Sequence, residues 1–365
     1  MSLTNFKLGD LITQRREKYD GANVLPIRGV SRDGFIRARQ PDADTSLYNV
    51  FYRWDFVFNP ARMELNSIAL NTEFDKAICS SLYEIFYVSR TDLLLPEYLN
   101  LYIKRDEFAR CCEFLGWGSA REYCRVGNIS DINIKLPDLE IQQRLVDVWK
   151  GLNDIKQNND AQAEPLMKLC MSYLKKLREE YPLRPIGKYI IPIDERNTDS
   201  LYDETQVRGI SITKRLIETK ANLDGVGLAS YKIIEPCDFA FVTVTSRNGD
   251  KISIAINDSM ENYIISSSYE VFRVSSNNLL PEYLYLWFLC PEFDRYARYH
   301  SWGSARETFN IDDMKRVRIP IPPVSVQRAI VDIYTCAKEC NAIAEQADSL
   351  CKKAIPALVQ KGAHS

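Results

Sequence analysis

The sequence predicts an α+β protein with two tandem mixed α/β domains, each followed by a long helix, and with the two helices forming an antiparallel coiled coil. Three observations predict this arrangement. Two hexapeptides recur in one register, short apolar runs precede each recurrence, and apolar residues spaced alternately by three and four follow it. We therefore expect domains over residues 1–138 and 183–323, with spacer helices over 139–182 and 324–365.

An internal repeat organises the chain. The hexapeptide LLPEYL at residues 94–99 recurs at 279–284, and WGSARE at residues 117–122 recurs at 302–307. Both hexapeptides recur 185 residues later, so the segment between them has the same length in the two copies. A unit of about 180 residues is too long for a solenoid repeat, and the chain is therefore two duplicated domains.

The larger, N-terminal part of each unit has the pattern of short strands. Asn248-Gly249 lies between two apolar runs and is a strong hairpin signal. Pro96 and Pro281 stand where a helix begins. The apolar runs expected to form strands are residues 55–59, 78–88, 239–245 and 264–274.

The C-terminal part of each unit has the spacing of a coiled-coil seam. The seam positions of the first helix have mostly large residues and those of the second have mostly small ones, which favours close packing of the two helices. Pro165 should kink the first helix, or mark a break after Asn158-Asn159-Asp160. The predicted seam comprises Ile141, Leu145, Val148, Leu152 and Ile155, continuing to Leu169, and on the second helix Ile330, Ile333, Cys340, Ala347 and Leu358.

Composition narrows the class of protein. The formal net charge of −2, from 47 basic and 49 acidic residues, argues against a chain that simply coats nucleic acid, but a local basic cleft remains compatible with it. Ten cysteines without a CxxC pair, with only two histidines, favour reduced thiols and no metal site. No apolar run approaches a membrane span, and the first residues lack signal-peptide features, so we expect a cytoplasmic protein.

Catalytic motifs are missing from the sequence. There is no Walker A sequence, and the glycine-rich stretch at residues 225–230 lacks the third glycine of a dinucleotide loop. Asn59-Pro60-Ala61-Arg62 lacks the second proline and the aromatic residue of an amino-methyltransferase turn. Two histidines leave little for acid–base chemistry. We expect a chain without catalytic residues.

The recurring Trp-Gly-Ser-Ala-Arg-Glu motif is the main candidate site. A Gly-Ser loop followed by an arginine could hold a phosphate through backbone N–H and guanidinium donors, and a turn with a buried tryptophan and a salt-bridged arginine fits equally well. The motif residues proposed to bind DNA are Ser119, Arg121, Ser304 and Arg306.

Further basic residues lie in turns beside the predicted strands. For any single one, a solvated surface charge is the commoner role, but as a set they supply the donors that a DNA groove reader requires. The candidates are Arg28, Arg32, Arg62, Arg208, Lys214, Arg215 and Arg247, with Arg37 and Arg39 nearby.

Each Gly-Ser loop continues through a proline-ended strand into a helix with an early glutamine. The segments are Gly118–Arg121, Ile132–Pro137 and Ile141-Gln142-Gln143 in the first copy, and Gly303–Arg306, Val317–Pro323 and Gln327 in the second. In these residues the chain resembles the DNA specificity subunit of type I restriction–modification systems. The Glu-Gln that this family usually shows is here Gln142-Gln143 and Val326-Gln327, which leaves the glutamine in place.

The resemblance implies a non-catalytic DNA reader. Each target-recognition domain would bind one half of a split double-stranded DNA site, and the helix pair would act as a spacer that docks two modification subunits, with restriction subunits bound through them. It implies no cofactor in this chain, because S-adenosylmethionine, ATP and Mg²⁺ would belong to the partner subunits. The flanking sequences at residues 28–33 and 208–213 differ, so we expect two different half-sites.

Two other functions fit the same sequence. One is a coiled-coil adaptor whose α/β domains bind protein, and it gains support if the arginines are scattered over each domain. The other is the specificity subunit of a type IIB-like restriction enzyme, which differs only in the attached partner.

Overall fold

The computed structural model describes residues 4–32, 34–37, 44–116, 123–244, 251–302 and 307–364. The chain forms two compact units. Unit 1 comprises residues 1–159 and 342–365, and unit 2 comprises residues 160–341. The division falls inside the long helices, because half of each helix packs into each unit. Both units contain sheets and helices, which gives the chain a mixed α+β fold.

In the described residues of unit 1, short strands and three short helices precede a long helix, whose first half belongs to this unit. The strands are β1 (Thr4–Lys7), β2 (Ile12–Arg15), β3 (Arg28–Ser31), β4 (Gly34–Arg37), β5 (Asn49–Tyr52), β6 (Asp55–Phe58), β7 (Ile68–Leu70), β8 (Lys76–Cys79), β9 (Glu84–Val88) and β10 (Asn133–Leu136). The helices are α1 (Pro96–Ile103), α2 (Asp106–Gly116), α3 (Val126–Ser130) and α4 (Leu139–Glu180).

Unit 2 repeats this order. Its strands are β11 (Leu183–Pro185), β12 (Ile190–Ile193), β13 (Val207–Ile210), β14 (Leu216–Glu218), β15 (Lys232–Ile234), β16 (Phe239–Val242), β17 (Ile254–Ile256), β18 (Tyr263–Ile265), β19 (Tyr269–Val274) and β20 (Arg318–Pro320). Its helices are α5 (Pro281–Leu289), α6 (Pro291–Tyr299), α7 (Ile311–Arg316) and α8 (Val324–His364). Helices begin at Pro96 and Pro281, as expected, and the expected hairpin turn at Asn248-Gly249 lies outside the described residues.

Each unit has a four-stranded antiparallel sheet with the same strand order, β2-β9-β6-β7 in unit 1 and β12-β19-β16-β17 in unit 2. Phe56 pairs with Phe86 across strands β6 and β9, and their rings stack with centroids 4.9 Å apart. Phe239 and Phe272 repeat this pair in unit 2, also at 4.9 Å. Stacked aromatic pairs at matching cross-strand positions fix the same register in both copies.

The first strand of each unit pairs with the strand that leads into the long helix. Strand β1 is antiparallel to β10, and β11 is antiparallel to β20. A glycine follows the first strand in both copies, in a short 3-10 turn. A Cβ atom on Gly9 would lie 2.8 Å from Ser130 Cβ, and one on Gly187 would lie 2.8 Å from Lys315 Cβ. Only glycine permits this approach of the turn to helices α3 and α7.

Helix α4 runs unbroken from Leu139 to Glu180 and contains Pro165. The break considered after Asn158-Asn159-Asp160 is therefore wrong. The helix begins directly after Pro137-Asp138 and ends before Tyr181-Pro182, and prolines just outside a helix are typical of its boundaries.

The buried stripe of α4 lies one residue later than the predicted seam. Val146 is fully buried in unit 1, and Cys170, Leu174 and Leu177 are buried in unit 2. In contrast, the predicted seam residues Val148 and Ile155 are 50% and 45% exposed, Leu169 is 45% exposed, and Ile141, Leu145 and Leu152 are half-buried. Two neighbouring strips of α4 carry apolar residues at the same spacing, and apolar spacing alone does not decide which strip faces the core.

Helix α8 follows the predicted seam over most of its length. Ile330 and Ala347 are buried, and Ile333 and Cys340 are half-buried. Leu358 differs, because it is 44% exposed while the neighbouring Val359 is fully buried in the core of unit 1.

Candidate nucleic-acid interface

In unit 1, strands β3 and β4 form a hairpin rich in arginine. Arg28 lies directly opposite Arg37 in the antiparallel register, and its guanidinium carbon is 4.6 Å from the ring centroid of Phe74. Arg32, in the turn, is exposed, and its guanidinium is 3.7 Å from the carboxylate of Asp106. Like charges directly opposite each other on two strands repel, so this hairpin is suited to an anionic ligand.

A lysine anchors this hairpin to the rest of unit 1. Lys104, at the end of α1, donates through Nζ to the backbone oxygens of Arg32 at 2.6 Å and Ile68 at 2.8 Å. The hydroxyl of Ser67 donates to the backbone oxygen of Val30 at 3.0 Å. These bonds hold the arginine hairpin against strand β7, and nothing in the sequence pattern had singled out Lys104.

Arg62 ends a 3-10 turn that follows strand β6 and is linked to the hairpin. Its backbone oxygen accepts from the backbone nitrogen of Ser67 at 3.2 Å, and Ser67 in turn bonds Val30. The Arg62 side chain is exposed, and its guanidinium has no hydrogen-bond partner among the residues that the structure describes. The exposed Arg62 guanidinium is therefore available to a ligand, and it lies on a segment that is hydrogen-bonded to the hairpin.

The two ends of the first Gly-Ser loop lie beside the Arg62 turn. Helix α2 ends at Gly116, and the backbone nitrogen of Cys124 donates to the backbone oxygen of Pro60 at 3.0 Å. Ser119 and Arg121 lie outside the described residues. The fold thus brings together the flanks of two motifs that are far apart in the sequence.

In unit 2, strands β13 and β14 form the corresponding hairpin with a different charge pattern. Arg208 stands opposite Glu218 in the register, and its guanidinium carbon lies 4.0 Å from the ring centroid of Tyr263. Arg215 is exposed, and its side chain has no hydrogen-bond partner within the described parts of the chain. One hairpin carries an Arg–Arg pair and the other an Arg–Glu pair, so the two surfaces differ chemically.

Lys214 is a correction to the predicted set of DNA-binding residues. It is 4% exposed, its Nζ lies 2.8 Å from the Asp294 carboxylate, and it also donates to the backbone oxygen of Phe288. Burial lowers the pKa of this ammonium group below its ordinary value. Because its charge is buried and paired, Lys214 anchors the hairpin to α5 and α6 and offers nothing to a ligand.

The segments that flank the second Gly-Ser loop also converge. The backbone nitrogen of Phe309 donates to the backbone oxygen of Thr243 at 2.8 Å, and Val244 forms an antiparallel bridge with Thr308. Beyond the segment that contains Arg247, the backbone nitrogen of Ile252 donates to Asp294 at 3.2 Å. Arg247, Ser304 and Arg306 lie outside the described residues.

A buried aspartate in each sheet was not predicted. Asp55 is 1% exposed and accepts from Arg15 at 2.6 and 3.0 Å. Asp238 is fully buried and accepts from Arg273 at 2.6 and 2.8 Å. The hydrogen bond that Arg273 donates to Asp238 is the main cause that raises the pKa of Arg273.

The arginines of these pairs come from different strands, β2 in unit 1 and β19 in unit 2. Their carboxylate partners lie at corresponding positions of the two copies, in Asp-Phe-Val-Phe at residues 55–58 and Asp-Phe-Ala-Phe at residues 238–241. The two copies therefore share the aspartate but take its arginine partner from different, neighbouring strands.

Metal and membrane features are absent from the described part of the chain. No group of three or more histidine, cysteine, aspartate or glutamate side chains is arranged there to hold a metal ion. None of the helices seen there combines the length and the apolar character that crossing a bilayer demands.

Comparisons with known proteins agree with this architecture. Residues 191–348 match the family described as the type I restriction modification DNA specificity domain. The fold is similar to the type I restriction–modification system S subunit from M. genitalium, with a TM-score of 0.64 and 11% identity over 99% of this chain and 96% of that one.

The HsdS subunit from Thermoanaerobacter tengcongensis aligns over 99% of this chain and 96% of its own, with 18% identity and a TM-score of 0.44. Among curated proteins, none matches the sequence. The chain is therefore similar, over residues 191–348, to the type I restriction modification DNA specificity domain.

Proposed function

We propose that this chain is the non-catalytic subunit that gives a type I restriction–modification complex its DNA sequence specificity, each unit reading one half of a bipartite, asymmetric site. The observation that carries the proposal is the surface of unit 1, where Arg28, Arg32 and Arg62 lie on segments tied together by hydrogen bonds through Ser67. The presence of three arginines on linked segments of one unit favours DNA binding over the protein-binding adaptor, for which scattered arginines are expected.

Different chemistry on the two hairpins supports an asymmetric site. Arg28 faces Arg37 in unit 1, whereas Arg208 faces Glu218 in unit 2. Guanidinium groups recognise guanine edges and phosphates, and a carboxylate beside an arginine restricts which edge the arginine reaches. Two surfaces built on one fold but lined by different charges would select different half-sites.

The long helices are proposed to pair as an antiparallel coiled coil. In unit 1, Val146 of α4 and Val359 of α8 belong to one hydrophobic cluster. In unit 2, Cys170 of α4 lies 3.9 Å, measured from Sγ, from the backbone oxygen of Ile330 of α8. The α8 partner moves from residue 359 to residue 330 as α4 advances from 146 to 170, which is the order of an antiparallel pair.

Apolar residues left exposed on α4 support docking of modification subunits on the helices. Val148 and Ile155 in unit 1, and Leu169 and Tyr173 in unit 2, are each 43–50% exposed and follow heptad-like spacing. Such a strip is suited to partner helices. We propose two modification subunits, which would bring S-adenosylmethionine, and restriction subunits attached through them, which would bring ATP and Mg²⁺, all acting on DNA in the cytoplasm.

Binding of the assembled complex to duplexes altered in one half-site at a time tests the proposal. Arg62→Ala should weaken binding by about 1–3 kcal/mol if its contact is bidentate to a base, and should relax preference at the first half-site only. Arg247→Ala should do the same at the second half-site only.

Arg53→Ala is the matched control, because Arg53 is engaged with the Asp75 carboxylate at 2.9 Å and with the backbone oxygen of Thr72 at 2.7 Å. An assembled wild-type complex that binds all duplexes equally would contradict the proposed function. Methyl transfer or cleavage by the purified chain alone would contradict its non-catalytic role.

A further inference from the structure

Unit 1 contains a cleft of about 590 Å³, lined by residues of strands β4 and β7, helix α1 and the long helices α4 and α8. Two tryptophans line it, Trp54 from the turn between β5 and β6 and Trp149 from α4. Trp54 is 41% exposed and has a left-handed backbone, with φ at 70°. Aromatic side chains on two separate elements thus face one open cleft.

Unit 2 contains the equivalent cleft, with a volume of about 280 Å³. Cys237, with φ at 68°, occupies the turn position of Trp54, and Tyr334 of α8 occupies the position of Trp149 in the register of the repeat. Glu97 and Glu282, which follow the repeated prolines, line the first and the second cleft respectively. The duplication has kept the cleft, an aromatic residue on the long helix and a glutamate beside it.

Both clefts have an excess of negative charge. In unit 1 the lining acids are Glu73, Glu97 and Asp154, and the lining bases are Lys104 and Lys150. Lys150 pairs with Glu97 at 3.3 Å. The carboxylates of Glu73 and Asp154 are exposed and form no ion pair with any residue that the structure describes.

In unit 2 Lys338 pairs with Asp258, and exposed Glu282 forms no ion pair within the described ranges. Acidic surfaces repel phosphate, so these clefts are unsuited to the DNA backbone. The excess of acidic groups in both clefts favours a cationic ligand.

Two further features favour a protein as that ligand. Met260, which lines the unit 2 cleft, is 92% exposed, an apolar side chain of the kind that partner surfaces cover. Asn153 lines the unit 1 cleft, and its Nδ2 is buried without a hydrogen-bond acceptor among the described residues. Because each unit has one such cleft, two copies of a single partner can bind, one at each cleft.

We propose that each cleft receives a basic side chain, arginine or lysine, from one copy of the modification subunit. The cation would lie against Trp149 or Tyr334 and near the unpaired carboxylates, since cations bind over aromatic rings and beside carboxylates. This inference rests on the proposed function, to which it adds the place and the chemistry of partner docking.

Charge reversal in the full-length chain, co-expressed with the modification subunit, tests the inference by native mass spectrometry and titration of partner binding. Glu73→Lys with Asp154→Lys should raise the dissociation constant for one partner copy at least roughly tenfold, and Glu282→Lys should do so for the other. The triple variant should bind neither copy at concentrations that saturate the wild type. These side chains are exposed, so the variants should remain folded, which thermal melting checks.

Trp54→Gly provides a second test that does not alter charge, because glycine tolerates the left-handed backbone at this turn. It should weaken binding of the same copy as Glu73→Lys with Asp154→Lys. Asp10→Lys in unit 1 and Asp224→Lys in unit 2 are matched controls, since both are exposed acids outside the clefts. They should retain two partner copies.

Unchanged stoichiometry and affinity in the cleft variants would overturn the inference and leave the proposed function intact, provided that the complex still discriminates DNA sequences. Loss of DNA affinity with both partner copies retained would also overturn it, because the clefts would then contact DNA. Wild-type protein that neither binds the modification subunit nor discriminates DNA would overturn both proposals.

Discussion

The side-chain oxygen Oε1 of Gln142 accepts a hydrogen bond from the backbone nitrogen of Leu95, 3.0 Å away. Its Nε2 donates to the backbone oxygens of Leu93 and Pro137, both at 2.8 Å. One fully buried side chain therefore joins the start of α4 to the segment that leads into α1.

Gln327 makes the same three bonds in unit 2. It accepts from Leu280 at 2.9 Å and donates to the backbone oxygens of Asn278 and Pro322 at 2.8 Å. The residue equivalent to Gln327 is thus Gln142 and not Gln143, with which the sequence motif had aligned it. Gln143 is exposed, and its side-chain nitrogen donates to Asp147, one turn along α4.

We expect Gln142→Ala to lower the free energy of unfolding by about 2–5 kcal/mol, because three buried backbone groups lose their partner. Gln143→Ala is the matched control and should change it by less than about 0.5 kcal/mol. Chemical denaturation followed by circular dichroism measures both. Equal stability of the two variants would contradict the anchoring role.

Gly9→Ala and Gly187→Ala should each destabilise their unit by about 1–3 kcal/mol, since the added methyl group would lie 2.8 Å from another Cβ. Gly151 is the control. No atom lies within 4 Å of a Cβ placed there, and Gly151→Ala inside α4 should stabilise the protein by about 0.5–1 kcal/mol. Thermal melting of the three variants gives the comparison. Stabilisation by Gly9→Ala would show that the turn does not approach α3 this closely.

The arginine partner of the buried aspartate in unit 1 can be moved by mutation to the strand that supplies it in unit 2. Arg15→Ile copies Ile193 of unit 2 and should cost about 3 kcal/mol, because Asp55 loses its partner. Tyr87 occupies the position of Arg273, since it lies opposite Asp55 in the sheet. Adding Tyr87→Arg to Arg15→Ile should restore much of the loss. A double variant less stable than Arg15→Ile, measured by denaturant unfolding, would refute the equivalence.

Lys214→Ala should destabilise unit 2 by about 3 kcal/mol, because it leaves Asp294 without its ion-pair partner in a largely buried site. The neighbouring exposed Arg215→Ala should leave the melting temperature unchanged. Binding of the folded variants to DNA across half-site duplexes separates the roles. If Lys214→Ala has normal stability but binds DNA more weakly, Lys214 is a DNA-binding residue.

The loop arginines have two possible roles that salt dependence separates. If Arg121 and Arg306 hold phosphates, Arg121→Ala and Arg306→Ala should weaken binding of the assembled complex to all sequences alike. Each should also reduce the slope of log affinity against log salt concentration by about one charge. An unchanged slope with a lowered melting temperature would identify them as structural residues of a salt-bridged turn.

The duplication, the succession of strands and helices, and the positions of the long helices could all be inferred from the sequence alone. Exact hexapeptide repeats and prolines at helix boundaries are local features, and local features can be read without knowledge of the fold. The arginine-rich turns were likewise visible as composition.

Tertiary packing decided which residues face the core and which face a ligand. Lys214 and Arg215 are adjacent and both basic, but the path of the hairpin buries the first against Asp294 and exposes the second. The burial of Gln142 could not be predicted from the spacing of apolar residues. It depends on three backbone groups, two of them in a segment far away in the sequence. Burial of a polar group is stable only where its partners converge, and that convergence is a property of the fold.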